Sequence, residues 1–139
     1  MSTTFTPFNK FKLALGSKKH NLTSDTLKCM LTNTAPNAAT DDEKADIVEI
    51  TAEHGYSAGG AAITSVSWSE SGGTVTLAGT GPTITASGGT VGPFRYIVVY
   101  NETATNDDLI GYLDYGTSIT LQDGQPFAIS FPSNLGTLS

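Results

Sequence analysis

The sequence is poor in cysteine, in basic charge and in long apolar runs. A single cysteine among 139 residues excludes an internal disulfide and a cysteine-rich zinc site. No apolar stretch approaches the roughly 20 residues of a membrane-spanning helix, so we expect no membrane partner. The chain has 7 basic against 13 acidic residues and a net charge of −6. An acidic surface repels phosphates, which argues against a general nucleic-acid binder.

The few basic residues are unevenly distributed. Residues 1–24 hold four lysines and no acid, whereas residues 25–139 hold three basic residues and all 13 acidic ones. The chain therefore divides into a basic N-terminal arm, residues 1–24, and a body of a size suited to one domain, residues 25–139. Two interpretations stay open. Either the arm folds back onto its own acidic body, or it binds the acidic surface of a partner, which another copy of this chain would also offer.

Short apolar bursts separated by turn residues predict strands. Residues 26–33 alternate with period two, which places Leu27, Cys29 and Leu31 on one face. Residues 94–100 are apolar at nearly every position, which predicts a central strand covered on both faces. Further strands are expected at residues 74–78, 82–86, 109–115, 118–121 and 126–131. Strands at this spacing predict an all-β fold, an antiparallel β-sandwich or a barrel-like domain.

Two segments indicate helix instead. Phe5, Phe8 and Phe11 recur at three-residue spacing, so the arm is expected to be extended or partly helical over residues 6–15. Pro7 would suit the first turn of that helix and Gly16 its end. Residues 40–46 predict a short helical turn, in which Thr40 is the N-cap and Glu43 completes a capping box.

Residues suited to catalysis or metal binding follow no recognised motif. His20 and His54 are not accompanied by a nucleophile motif such as G-x-S-x-G, so we expect no enzyme, no cofactor and no small-molecule substrate. Oxygen ligands at residues 41–46 and 106–108 lack the spacing of a calcium loop, although calcium stays an open alternative. Cys29 alternates with leucines and is expected to be a buried small hydrophobe.

Aromatic residues are the remaining candidates for specific binding. Trp68 and four tyrosines, Tyr96, Tyr100, Tyr112 and Tyr115, lie in or near the apolar segments. Exposed, they would form a platform for a sugar or a protein. Buried, they belong to the core, and this interpretation is favoured for most of them because they share faces with valine and phenylalanine.

Short sequence runs in order along nearly the whole chain carry a family resemblance. They include FNKF at 8–11, SDTLK at 24–28, LTNTAP at 31–36, TASGG at 85–89, GPFRY at 92–96, LIGY at 109–112 and SITL at 118–121. Together they resemble a small virion structural protein that is widespread in tailed bacteriophages with double-stranded DNA. The family has no active site to transfer to this chain.

The resemblance implies a component of the phage particle, made in the cytoplasm of the bacterial host and located in the virion. A decoration (cement) protein, which binds the outside of the head and links capsid subunits, is the first expectation. A tail component (tube, adaptor or fibre-associated) is the alternative. The implied partners are the major capsid protein and further copies of this chain, with a trimer favoured. The residues alone leave a third possibility, a carbohydrate-binding β-sandwich module.

On the capsid-binding interpretation, the arm contributes the contacts to the partner. Its phenylalanines would supply affinity and its lysines would fix the register. The expected contact residues are Phe5, Phe8, Lys10, Phe11, Lys12, Lys18 and Lys19.

Overall fold

The computed structural model describes residues 5–131 and the backbone of residues 136–138. It contains one α-helix, α1 (Asn9–Gly16), and a 3-10 turn at Lys44–Asp46. The strands are β1 (Phe5–Pro7), β2 (Leu27–Thr32), β3 (Ala61–Ala62), β4 (Thr64–Ser71), β5 (Thr74–Thr80), β6 (Thr83–Thr85), β7 (Val91–Asn101), β8 (Leu109–Leu121), β9 (Pro126–Ala128) and β10 (Gly136–Leu138). Strand accounts for 46% of the described residues and helix for 9%, so the all-β prediction is confirmed. The finer choice between a sandwich and a barrel stays a prediction.

The strands form three antiparallel sheets. The largest has five strands in the order β1-β8-β7-β2-β3, the second has three in the order β10-β5-β4, and the third is the two-stranded ribbon β6-β9. Strand β7 lies at the centre of the largest sheet, and its residues Ile97, Val98 and Val99 are all buried. Successive side chains of a strand point to opposite faces, so both faces of β7 are covered. The sequence-based prediction of a central strand is confirmed.

Strand β8 is one long strand where two were predicted. Its pairing with β7 shifts between Tyr96↔Asp114 and Phe94↔Ile119, so extra residues of β8 bulge out of the ladder. Gly116 lies in this bulge with φ +96°, a conformation that favours glycine. The glycine that suggested a break between residues 109–115 and 118–121 instead marks a bulge within one strand.

Strands β4 and β5 form a hairpin that the sequence pattern only partly indicated. Gly72 and Gly73 connect them, both with positive φ, as a tight two-residue hairpin turn requires. Strand β5 contains the predicted residues 74–78. Strand β4 was not predicted, because only its half-buried Val66 and Trp68 are apolar and the intervening positions are exposed serines.

The N-terminal segment is partly helical, as expected, and begins with a strand. Strand β1 pairs with β8, with Phe5 opposite Leu113. The prediction that Pro7 lies in the first helical turn is wrong. Pro7 is the last residue of β1, an edge position where its missing N–H is tolerated, and α1 begins at Asn9. The predicted helix end at Gly16 is confirmed.

The turn expected at residues 40–46 lies further along the chain. The capping box is present, but its N-cap is Glu43 and its N3 residue is Asp46, not Thr40 and Glu43. The Asp46 carboxylate accepts backbone hydrogen bonds from Asp42 at 2.9 Å and from Glu43 at 3.1 Å. These two bonds stabilise the charged carboxylate and lower the pKa of Asp46.

One apolar cluster receives side chains from all parts of the described fold. Cys29 is fully buried within it and forms no disulfide, as expected. Both faces of β2 are covered, since Met30 and Thr32 are also inaccessible to solvent and the Thr32 hydroxyl donates to the Val48 carbonyl. Within the described residues, no helix has the length and hydropathy of a membrane span.

Candidate partner-binding surface

The structure divides the seven predicted contact residues into two groups. Phe8 is fully buried and Phe11 is 7% exposed, both in the core of their own chain. The expectation that these two phenylalanines contact a partner is therefore corrected, because their side chains already pack within this fold. Phe5 is half-buried and packs against the same core. The four lysines, Lys10, Lys12, Lys18 and Lys19, are exposed.

Apolar contacts hold the N-terminal segment on the β body. The Phe8 ring lies 5.5 Å from the Tyr112 ring, between centroids. The Phe8 N–H donates to the Ile110 carbonyl at 3.0 Å. The Phe5 ring covers Gly111, where a Cβ atom would clash with it. Residues 5–11 therefore belong to the β body structurally, which is the folded-back interpretation of the arm.

A buried polar cluster fixes the end of the same segment. Asn101, the last residue of β7, is fully buried. Its side-chain N–H₂ group donates to His20 Nδ1 at 2.9 Å and to the Asp25 carboxylate at 2.7 Å. Its carbonyl oxygen accepts from the backbone N–H groups of Thr103 and Ala104. Since a buried amide needs partners for all of its polar atoms, Asn101 ties residues 20–25 to the turn after β7.

His20 is neutral in this arrangement. Because Nδ1 accepts from Asn101, the ring proton is assigned to Nε2, which is buried without a hydrogen-bond partner. Burial is the largest influence on the pKa of the His20 imidazole and lowers it, although the charges of Asp108 and Asp25 act in the opposite direction. The His20 ring also packs 5.3 Å from Phe11, between ring centroids. Its apolar and polar contacts thus favour the uncharged form.

Asp108 anchors one of the four lysines. Its carboxylate is almost completely buried, and Lys19 Nζ lies 3.4 Å from Oδ2. This contact is an ion pair without the alignment of a hydrogen bond, because the same Oδ2 atom has no hydrogen-bond partner. Lys19 therefore neutralises a carboxylate of its own chain.

The other three lysines of this segment are exposed. In the part of the chain that the structure describes, Lys10, Lys12 and Lys18 form no ion pair. Leu13, three residues after Lys10 on the helix, is 67% exposed. Helix α1 contains no acid. We call Lys10, Lys12 and Leu13 of α1, together with Lys18 two residues after its end, the basic helix surface. It combines unpaired positive charge with an exposed leucine on a chain whose other residues are strongly acidic.

Two pockets contain charges of both signs, and one of them includes Lys18 of this surface. One, of about 340 Å³, is lined by Lys18, Lys19, Asp25 and Asp108 together with the loop at residues 103–106. The other, of about 460 Å³, is lined by Glu43, Lys44, Glu49 and Asp107 among others. Among the described residues, no group of three or more histidine, cysteine or acidic side chains is placed to hold a metal ion.

The aromatic residues pack onto the core instead of standing free. Tyr56 and Tyr100 are buried, and the Tyr100 hydroxyl donates to the Gly59 carbonyl at 2.5 Å. The other three tyrosines and Trp68 are half-buried. In the described residues, no aromatic side chain belongs to the exposed class. Of the five rings that this interpretation concerned, Tyr100 lies in the core and Trp68 and Tyr112 pack against it, so the assignment is confirmed for Tyr100 and holds in part for the other two.

Sequence reasoning missed Asn101 and Asp108 as the residues that position the basic segment. One signal in the sequence could have found them. Both are polar residues next to a strongly apolar segment, Asn101 at the end of β7 and Asp108 just before β8. Comparison with known proteins found no matching family model, no matching curated protein and no matching solved structure.

Proposed function

We propose that this chain is a structural protein of tailed double-stranded DNA phage particles, most specifically a decoration (cement) protein on the outside of the head. The observation that carries the proposal is the basic helix surface, together with the family resemblance of the sequence runs. Lys10, Lys12 and Lys18 carry charge that no acid of the described chain neutralises. Such a surface suits binding to an acidic protein patch.

The packing of helix α1 against the β body also supports the proposal. Helix α1 is held on the β body by Phe8 and Phe11 from one side and by the Asn101–His20 contact at the end of the segment. A contact residue on a rigid support loses less conformational freedom when it binds. The proposed role of the arm therefore differs from the extended arm expected from the sequence, because its lysines and Leu13 make the contacts while its phenylalanines position them.

A decoration protein binds through many weak contacts and needs no catalytic residue. Exposed ion pairs contribute only about 0–1 kcal/mol each, so a single copy binds an acidic patch weakly. Many copies on one shell, or a homo-oligomer such as a trimer, gain affinity through multivalency. The proposed partner is the major capsid protein, and the proposed effect is to link neighbouring capsid subunits and stabilise the shell.

Imaging of purified phage particles tests this proposal. Particles from cells that express the chain are labelled with an antibody against it and examined by electron microscopy, with particles from a deletion strain as the control. Labelling over the head supports a decoration protein. Labelling confined to the tail would replace this proposal with the tail component, and absence of the chain from purified particles would overturn both.

A further inference from the structure

We infer that strand β4 (Thr64–Ser71) is a self-association edge, which pairs antiparallel with β4 of a second copy of this chain. This inference rests on the backbone pairing and on the residues of β4, and it does not depend on a location in a phage particle. Its failure would therefore leave the proposed function standing.

Strand β4 lies at one end of its sheet, and among the described residues it has a neighbour on one side alone. It is the outer strand in the order β10-β5-β4. In the described part of the chain, its backbone groups pair with β5 and with no other segment. An edge strand presents unpaired N–H and C=O groups, which form a template for another strand.

The other outer strands of the described sheets are protected by being short. Strands β1, β6, β9 and β10 have three residues each, and β3 has two. Strand β1 also contains Pro7, and β9 begins with Pro126. Short strands and prolines are common devices that prevent pairing at an edge. Strand β4 has eight residues and neither a proline nor a basic residue.

Hairpin geometry identifies which groups of β4 face outward. The register pairs Ser71 with Thr74 next to the two-residue turn, and Glu70 with Val75 and Trp68 with Leu77 beyond it. Hydrogen-bonded and non-hydrogen-bonded pairs alternate in an antiparallel ladder, and the pair that closes such a turn is hydrogen-bonded. The N–H and C=O groups of Trp68 and Glu70 therefore point away from β5.

The β4 strand is irregular at only one end. The register with β5 shifts between Thr64 and Ser67, and Ser65 has φ +53°. From Ser67 to Ser71 the register with β5 is continuous. This half of the strand is available for regular pairing.

The charge distribution on β4 favours antiparallel pairing with a second copy. Glu70 is the only charged residue of the strand. A parallel arrangement of two copies would place the two Glu70 side chains side by side, whereas an antiparallel arrangement places them at opposite ends of the pair. Like charges directly opposite each other destabilise a sheet, so the antiparallel arrangement is the compatible one.

Pairing of two copies would bury the apolar residues of β4. Val66 and Trp68 are half-buried on one face of the strand, and the serines between them are exposed on the other. If the two copies pair so that their core-side faces coincide, Val66 and Trp68 of one copy adjoin those of the other. The three-stranded sheet becomes a six-stranded sheet, and the remaining exposed area of both tryptophans decreases.

Two exposed serines provide a test that leaves the core untouched. When the two strands pair about Trp68, Ser67 of each copy opposes Ser69 of the other, and when they pair about Ser69, the two Ser69 side chains oppose each other. The variant S67K/S69K therefore places lysine opposite lysine, and S67T/S69T is the matched neutral control. Light scattering coupled to size exclusion gives the mass across a range of micromolar concentrations, and circular dichroism and thermal unfolding confirm that both variants fold.

A second pair of variants acts on the hydrogen bonds instead of the charge. E70P removes the outward N–H, whereas E70A keeps it and loses only the carboxylate that accepts from Gly73 N–H. We expect wild type, S67T/S69T and E70A to show a mass twice the 14.5 kDa of one chain, and S67K/S69K and E70P to dissociate at least tenfold more readily. A monomeric wild type, or a dimer or trimer that both blocking variants leave intact, would overturn the inference.

Discussion

The side chain of Asn101 donates a hydrogen bond to Nδ1 of His20 across 81 positions of sequence, at a distance of 2.9 Å. This contact joins the end of the central strand β7 to the segment that follows helix α1. It explains how a short basic helix is held in one place on an otherwise β-structured chain.

Replacement of Asn101 by alanine should destabilise the fold. The variant removes the donor to His20 Nδ1 and the acceptor of the Thr103 N–H, and it takes one of two hydrogen bonds from the Asp25 carboxylate, which still accepts from Asn21 N–H. Loss of one partner of a buried polar group costs about 1–3 kcal/mol. Urea denaturation should show a loss of this size for N101A. The control N106A, at an exposed position of the same turn, should change the free energy of unfolding by less than about 0.5 kcal/mol.

Stability should decrease in mildly acidic solution because of His20. The pKa of His20 is lowered in the folded state from its ordinary value of 6.5, so the unfolded state binds a proton more readily. The contribution of neutral His20 is fully present above pH 6.5 and is lost as the pH falls toward the lower, folded-state pKa. Denaturation across this pH range should show a weaker pH dependence for H20Q than for wild type. An equal change in H54Q, a substitution at an exposed histidine, would contradict the assignment.

Substitution of Gly111 by alanine should disturb the docking of β1. A Cβ atom there would clash with the Phe5 ring and come within 2.8 Å of the Thr6 carbonyl oxygen. Forced overpacking costs typically about 1–3 kcal/mol. G111A should therefore lower the free energy of unfolding and expose residues near the N-terminus to protease. Adding F5A should recover part of this loss, since it removes the ring but not the backbone contact. If G111A and F5A were instead strictly additive, the clash would not be the cause.

Cys29 should be unreactive in the folded protein. It is fully buried, and burial raises the pKa of its thiol to about 12. Because the thiolate is the reactive form, a thiol reagent at pH 8 should label native protein only at the rate of unfolding. The same reagent should label one thiol per chain at once in denaturant. Rapid labelling of native protein would show that β2 opens far more easily than its central packing implies.

The sequence predicted the fold class and most of the strands, because apolar side chains alternate in β2 and run continuously in β7. The pattern failed where the polar face of a strand dominated, as in β4, whose outer positions are serines. It also divided β8 in two at Gly116, since a bulge inside a strand and a turn between strands use the same residue. Local composition does not distinguish them, and only the pairing with β7 does.

The sequence identified the basic residues of the candidate site, but not how the structure places them or which residues pack beside them. The lysines of the first 24 residues were recognised as a basic group, and three of them remain unpaired in the described chain. The phenylalanines were expected at the same surface, yet Phe8 and Phe11 are in the core. Helical spacing shows that residues share a face without showing what that face contacts. Contacts such as Asn101–His20 link distant positions, and no local pattern reports them.

Binding of a charge-reversed helix to phage heads tests the central claim most directly. Heads assembled without this chain are mixed with wild type, with K10E/K12E and with the charge-preserving control K10R/K12R, and the bound fraction is measured by co-sedimentation at low and moderate salt. We expect K10E/K12E to bind at least about tenfold more weakly, roughly 1.4 kcal/mol, and K10R/K12R to bind like wild type, with the difference decreasing as salt rises. Equal binding by K10E/K12E and wild type, with both proteins folded, would contradict the claim that the basic helix surface holds this protein on the particle.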